Sequence, residues 1–157
     1  IPMRKEIADL GRRVELSRAA NSRYLDALSV VGTPKPSHRI LDAVSKPVEK
    51  KGRRYRGLRP ISPDDSRLFA IVMRGEFELH PVRNVDLRRE LYPEGESDPR
   101  MSARNSARIS RQIGMLRAHG LMQKVTNSNS YRVTKKGHQV MSTAIKFRAS
   151  DIALLAA

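Results

Sequence analysis

Residues 106–137 read SARISRQIGMLRAHGLMQKVTNSNSYRVTKKG, and the reading of this stretch decides the fold class. Ile109, Ile113 and Leu116 recur at i, i+4 and i+7, the spacing that lines one face of an α-helix. Arg104, Arg108, Arg111 and Gln112 fall elsewhere on the same cylinder and form a basic, hydrogen-bonding face. Gly114 in mid-helix costs about 1 kcal/mol of helix propensity relative to alanine, so it predicts close approach of another element. Gly120 stands where a helix ends on a left-handed residue. Leu121 to Val125 and Tyr131 to Thr134 are strand-like, with Asn127-Ser128-Asn129-Ser130 as the polar tip between them. A new helix follows from Lys135.

Working outward, Asp98-Pro99 opens the long helix, and the loop before it, Pro93 to Ser97, is polar and acidic. Asn84 is placed to cap a short helix, Val85 to Tyr92, with Leu87 and Leu91 inward and Pro93 forbidding continuation. Upstream, Ser62 can cap a helix in which Pro63 suits the first position and Asp64 and Asp65 meet the positive end of the dipole. Leu68, Phe69, Val72 and Met73 make its apolar face, and Gly75 closes it. The final helix, from Lys135 to about Leu155, carries Val140, Met141, Ala144, Ile145, Phe147, Ile152, Leu154 and Leu155 on more than one face. That surplus predicts packing on the N-terminal helix or on a second chain.

The pattern changes near Pro60, dividing the chain into residues 1–60 and 61–157. Residues 5–31 are predicted helical, with Ile7, Leu10, Val14, Tyr24, Leu28 and Val31 on one stripe. Gly32-Thr33-Pro34-Lys35-Pro36 breaks that helix, and Ser37 is placed to cap a short one, His38 to Ser45, with Ile40, Leu41 and Val44 inward. Lys46 to Pro60 reads as a basic hairpin or arm turning at Lys51-Gly52. Six basic residues and no acid lie between Lys50 and Arg59.

The charge narrows the class of partner. Among 157 residues, 31 Lys+Arg against 16 Asp+Glu give a formal net charge of +15 and a pI near 11.0. Such a field attracts polyanions, and counterion release from phosphate supplies non-specific affinity. No apolar run reaches the 18 or more residues of a membrane span, and no signal-peptide pattern is present, so a membrane is not the expected partner. Aromatic residues make up only 4%, which argues against a sheet that stacks RNA bases, although basicity alone does not choose DNA over RNA. The absence of cysteine excludes disulfides and thiolate metal sites and fits a cytoplasmic protein. The opening Ile1-Pro2-Met3 suggests a piece of something longer.

Ile109-Ser110-Arg111, Leu116-Arg117-Ala118-His119-Gly120-Leu121 and Tyr131-Arg132-Val133-Thr134-Lys135-Lys136-Gly137 carry a resemblance. Through them, residues 64–141 resemble the winged helix-turn-helix family of bacterial DNA-binding regulators: helices one to three, two wing strands, and a closing helix. The whole chain also looks like the C-terminal part of longer bacterial proteins. The loop before the third helix is longer than a tight helix-turn-helix turn, and the wing is short. The fold so implied is mainly α, a winged helix-turn-helix with an N-terminal helical extension and a basic arm.

The resemblance implies a third helix that enters the major groove by its N-terminal half. Arg104, Asn105, Arg108, Arg111 and Gln112 would then face bases and phosphates, since Arg pairs bidentately with guanine and Asn or Gln with adenine. Nine Lys/Arg stand against the single acid Asp98 from that helix through the start of the closing one. In the wing, Lys124, Asn127, Asn129 and Arg132 are candidates for backbone or minor-groove contact, and Asn also serves ordinary turns. Lys50, Lys51, Arg53 and Arg54 would track phosphates, or else protect a hairpin edge by charge.

No catalytic or metal constellation emerges. His38, His80, His119 and His138 are scattered, no phosphate-binding glycine loop or nucleophile elbow occurs, and Glu94, Glu96 and Asp98 share a Pro/Gly loop that reads as solvated. The expectation is a non-catalytic protein on duplex DNA, without cofactor or metal, nucleoid-associated, in transcriptional regulation or a mobile element. A homodimer through the N- and C-terminal helices is the further partner the resemblance implies. An RNA or ribonucleoprotein subunit, and a protein-interaction domain of a larger nucleic-acid-processing enzyme, are the alternatives.

Overall fold

The computed structural model describes residues 36–95 and 97–149, together with residues 14–19 and 21. Residues 14–19 are helical with exposed side chains. Apart from residue 21, the rest of the expected first helix lies outside the described residues, with Ile7, Leu10, Tyr24, Leu28 and Val31, as do Glu96, Ile152, Leu154 and Leu155.

The described chain is mainly helical, with two small antiparallel sheets. Helix α1 (Ser37–Ser45) buries Leu41 and Val44. Ser37 does not cap it. The Pro36 carbonyl accepts from the N–H groups of Arg39 (3.0 Å) and Ile40 (3.4 Å), so helical geometry begins one residue early and Ser37 is already inside. A hairpin follows, β1 (Val48–Lys50) and β2 (Arg53–Tyr55), paired Val48 to Tyr55, Glu49 to Arg54 and Lys50 to Arg53. Lys51 and Gly52, at φ 53° and 71°, make the two-residue turn whose twist matches antiparallel strands.

Helix α2 (Pro63–Val72) starts as its sequence requires, with the Ser62 hydroxyl accepting from Asp65 N–H at 3.5 Å. Leu68, Phe69, Ile71 and Val72 are buried. Gly75 does not close it: the helix ends at Val72, and Gly75 (φ −57°) precedes a single turn, α3 (Glu76–Leu79). Four residues are too few to show a helical period, which is why this turn is invisible in the sequence pattern. Strand β3 (Val82–Arg83), shorter still, leads into α4 (Asn84–Leu91), where Leu87 and Leu91 point inward as expected.

Asn84 does not cap α4. Arg83 holds that place, its N–H donating to Asp86 Oδ2 at 2.9 Å. The Asn84 carboxamide instead crosses to helix α5 (Pro99–Ala118), donating from Nδ2 to Ser106 O and Ser110 Oγ, both at 2.9 Å, and accepting from Ser106 Oγ at 3.1 Å. Three long-range bonds outweigh one local cap.

Helix α5 opens with Asp98 Oδ1 accepting from Arg100 N–H at 2.9 Å. It closes on Gly120 (φ 75°), where Leu121 N–H reaches Leu116 O (2.9 Å) and Gly120 N–H reaches Arg117 O (3.2 Å), satisfying carbonyls the helix leaves orphaned. Strands β4 (Met122–Lys124) and β5 (Ser130–Val133) follow, and β3 joins the far side of β5, giving the order β3-β5-β4. Val82 pairs with Tyr131, and Met122 with Val133. Thr134 Oγ1 then caps the last helix, α6 (Lys135–Ala149), by accepting from Gly137 N–H at 3.0 Å.

Helix α6 buries Val140, Met141 and Ala144 against α1 and α2. Part of the apolar surplus on this helix is thus taken up within the chain. Leu41, Val44 and Leu58 share one core with Phe69, Leu87, Ile109 and Leu116, so packing is continuous across the change of pattern at Pro60.

Candidate nucleic-acid interface

Ile109, Ile113 and Leu116 anchor α5 in the core, and at about 100° per residue the opposite side of the helix carries Arg100, Arg104, Ala107 and Arg111, all exposed. Arg108 is also exposed and holds its guanidinium over the Tyr92 ring, 5.3 Å from the centroid. This is the basic face the sequence predicts.

Two of the predicted residues are elsewhere. Asn105 is buried beside Gly95, because it sits four residues before Ile109 and so shares the core stripe; no base edge can reach it there. Gln112 is half-buried, with its Oε1 enclosed and without a hydrogen-bond partner.

The basic arm is a fixed hairpin. Tyr55 lies against Gly114: the position a β-carbon would take is 3.7 Å from the ring, an ordinary van der Waals distance, so the close approach expected at this glycine is present but an alanine would also fit. Lys50 Nζ donates to Arg117 O at 2.8 Å, a cation placed at the negative end of the α5 dipole. His119, buried, donates from Nε2 to Arg56 O at 2.9 Å. Leu58 N–H bonds to Val44 O at 2.9 Å. These bonds lay the hairpin across the C-terminal half of α5, leaving the N-terminal half open.

Arg56 and Asp65 complete the anchor. The Arg56 fork meets the carboxylate at 3.0 and 2.6 Å, and Arg59 N–H donates to the same group at 2.7 Å. The hydrogen bond with Asp65 raises the Arg56 pKa above its ordinary value, against a smaller opposing effect of burial. Asp65→Ala is expected to destabilise the fold by about 2 kcal/mol, because Arg59 N–H loses its acceptor while the half-exposed Arg56 can turn to water. A urea midpoint unchanged from wild type would count against this anchor.

Lys51, Arg53 and Arg54 remain exposed on the hairpin. In the wing, Lys124, Asn127 and Asn129 are exposed and Arg132 is half-buried. Asn127 has φ 55°, a left-handed conformation that asparagine tolerates, and Ser128 closes the tip by donating from Oγ to Val125 O at 3.0 Å. The turn by itself therefore accounts for asparagine at 127.

Two hollows join these sets. Lys50, Lys51, Arg53 and Tyr55 meet Gly114 and Arg117 in one. Arg108, Arg111 and Gln112 meet Arg56, Arg67 and Tyr92 in the other. Arg117, held over the Tyr131 ring at 5.6 Å from its centroid, links the first hollow to the sheet. Sequence reading missed Arg67, Arg117 and the two tyrosines as parts of this surface. Arg100 was findable, standing four residues before Arg104 on the same face; Arg67 had no local signal, since only folding brings α2 beside α5.

Among the described residues no three His, Asp or Glu side chains come together in a group suited to a metal ion, and no helix is long and apolar enough to cross a membrane. Neither the family models nor the curated proteins and solved structures compared with this chain match it.

Proposed function

We propose that this chain is a non-catalytic protein of the winged helix-turn-helix kind that binds duplex DNA. One observation carries the reading: the N-terminal half of α5 turns an uncovered row of arginines outward, beside a hairpin that holds more cations in place. The order of helices α2, α4 and α5, the strand pair β4–β5 and the closing α6 supports it. In this mechanism, phosphate neutralisation provides most of the affinity, and the N-terminal half of α5 lies in the major groove. Arg104 and Arg108 in that half, with Arg111 just beyond it, approach base edges and phosphates, while Lys51, Arg53 and Arg54 on the hairpin and Lys124 on the wing hold the backbone. The task that follows is transcriptional regulation or service in a mobile element, at the nucleoid, with a homodimer through the terminal helices as the arrangement for paired half-sites.

Fluorescence anisotropy with a DNA duplex and its RNA counterpart, at about 50 and 200 mM salt, tests the reading. Tighter binding to DNA with a steep salt dependence is expected. Preference for RNA moves the protein to a ribonucleoprotein role, and no binding to either at low salt leaves the basic face to a protein partner. Once a target site has been selected, Arg108→Ala and Arg111→Ala are each expected to weaken specific binding by about 1–3 kcal/mol if the contact is bidentate. Unchanged affinity in both would mean that α5 faces away from the bases.

A further inference from the structure

The cleft between α2, the end of α4 and α5 is lined by Arg56, Asp64, Asp65, Arg67, Tyr92 and Arg108, with Arg111 and Gln112 beside them. We propose that it is a phosphate-binding pocket. Where the phosphate belongs to a duplex, the proposal rests on the function given above; where it is a free ligand, it stands independently.

The volume is about 380 Å³, within the span of small-ligand sites. Arg56 is committed to Asp65, and the two charges offset each other. Arg67, Arg108 and Arg111 are left against Asp64 alone, so the cleft is cationic. Among the described residues, none of these three arginines is in a salt bridge. Arg67 Nη2 reaches Leu91 O at 3.4 Å and Arg111 Nε reaches Ala107 O at 3.3 Å, both long for bonds of this kind. Arg108 rests on Tyr92 by its ring-facing charge, which leaves its planar N–H fork to donate.

Three guanidinium forks carried by two helices suit a tetrahedral anion. Phosphate offers enough oxygens to accept from all of them, whereas a carboxylate offers two. The anion has two sources: a phosphodiester of a bound duplex, or a small molecule bearing a phosphate. A small molecule in the cleft would engage Arg108 and Arg111, the residues assigned to the groove, and so compete with the duplex.

The test titrates inorganic phosphate, at constant ionic strength, into the full chain and into Arg67→Gln, a change on α2 away from the outward face of α5. Arginine Nε–H signals in NMR report binding, and duplex affinity is then measured across the same salt range for both proteins. A saturable shift at Arg108 and Arg111 that Arg67→Gln abolishes supports the pocket with a free phosphate ligand, and a matching loss of duplex affinity at saturation shows competition. No saturation, together with a salt dependence shallower in Arg67→Gln by about 0.9 in log K per log salt, supports the pocket as the seat of a backbone phosphate. A shift undiminished in Arg67→Gln overturns the proposal, and so do a silent titration and equal salt slopes. Saturable phosphate binding by a chain that binds no duplex supports the pocket while removing the nucleic-acid function.

Discussion

Gly137→Ala is expected to destabilise the fold by about 3 kcal/mol, at the upper end of ordinary overpacking effects. Gly137 is buried in the first turn of α6, where a β-carbon would overlap the carbonyl oxygen of Leu121 and crowd Val133 Cγ1. Neither neighbour can yield easily. Leu121 O accepts from Thr134 N–H at 3.0 Å, and Thr134 Oγ1 bonds to Gly120 O at 2.7 Å while capping α6. The end of α5, the root of the wing and the start of α6 meet at this point, so the added methyl must push α6 away from the other two. Gly75→Ala supplies the contrast: its φ is −57° and nothing lies within 4 Å of the added carbon. That variant should be neutral or gain up to about 1 kcal/mol from a less flexible unfolded chain. Urea unfolding of both reads the difference, and equal stabilities would show that α6 does not sit against Leu121 as described.

Replacing Lys51, Arg53 and Arg54 together with alanine should give the largest change in binding. Each neutralised phosphate contributes about 0.9 to the slope of log K against log salt, so the triple variant should flatten that slope by up to about 2.7. Base preference should stay as it was, because phosphate contacts carry no sequence information. Lys50 is kept, since its ammonium ties the hairpin to Arg117 O and its loss would confuse anchoring with contact. A slope equal to wild type would remove the hairpin from the interface and leave it a structural strap over α5. A lower urea midpoint with an unchanged slope would point the same way.

Legibility in the sequence followed the range of the interactions. The hairpin turn at Lys51-Gly52, the Ser62 cap, the Gly120 stop and the Ile109/Ile113/Leu116 stripe were readable because each depends on neighbours within a few residues. Turn α3 and strand β3 were not readable, being too short to repeat the period of a helix or a strand. Asn84 misled because asparagine is a good cap in isolation, and its partners on α5 lie 22 and 26 residues away. Asn105 misled for a different reason. Residue type suggested a base contact, while its spacing from Ile109 already placed it on the buried side.

The sequence by itself determined the net charge, the helical periods, the stop at Gly120, and which side of α5 is apolar. All of these follow from composition and local backbone preference. Only the tertiary structure decided that the basic arm is fixed across the C-terminal half of α5, through Tyr55 on Gly114, Lys50 on Arg117 O and His119 on Arg56 O. It also decided that Arg67 stands beside Arg108 and Arg111 around one cleft. Each of those contacts joins residues 41 to 67 positions apart in the chain, and no local pattern records which distant groups the core will bring together.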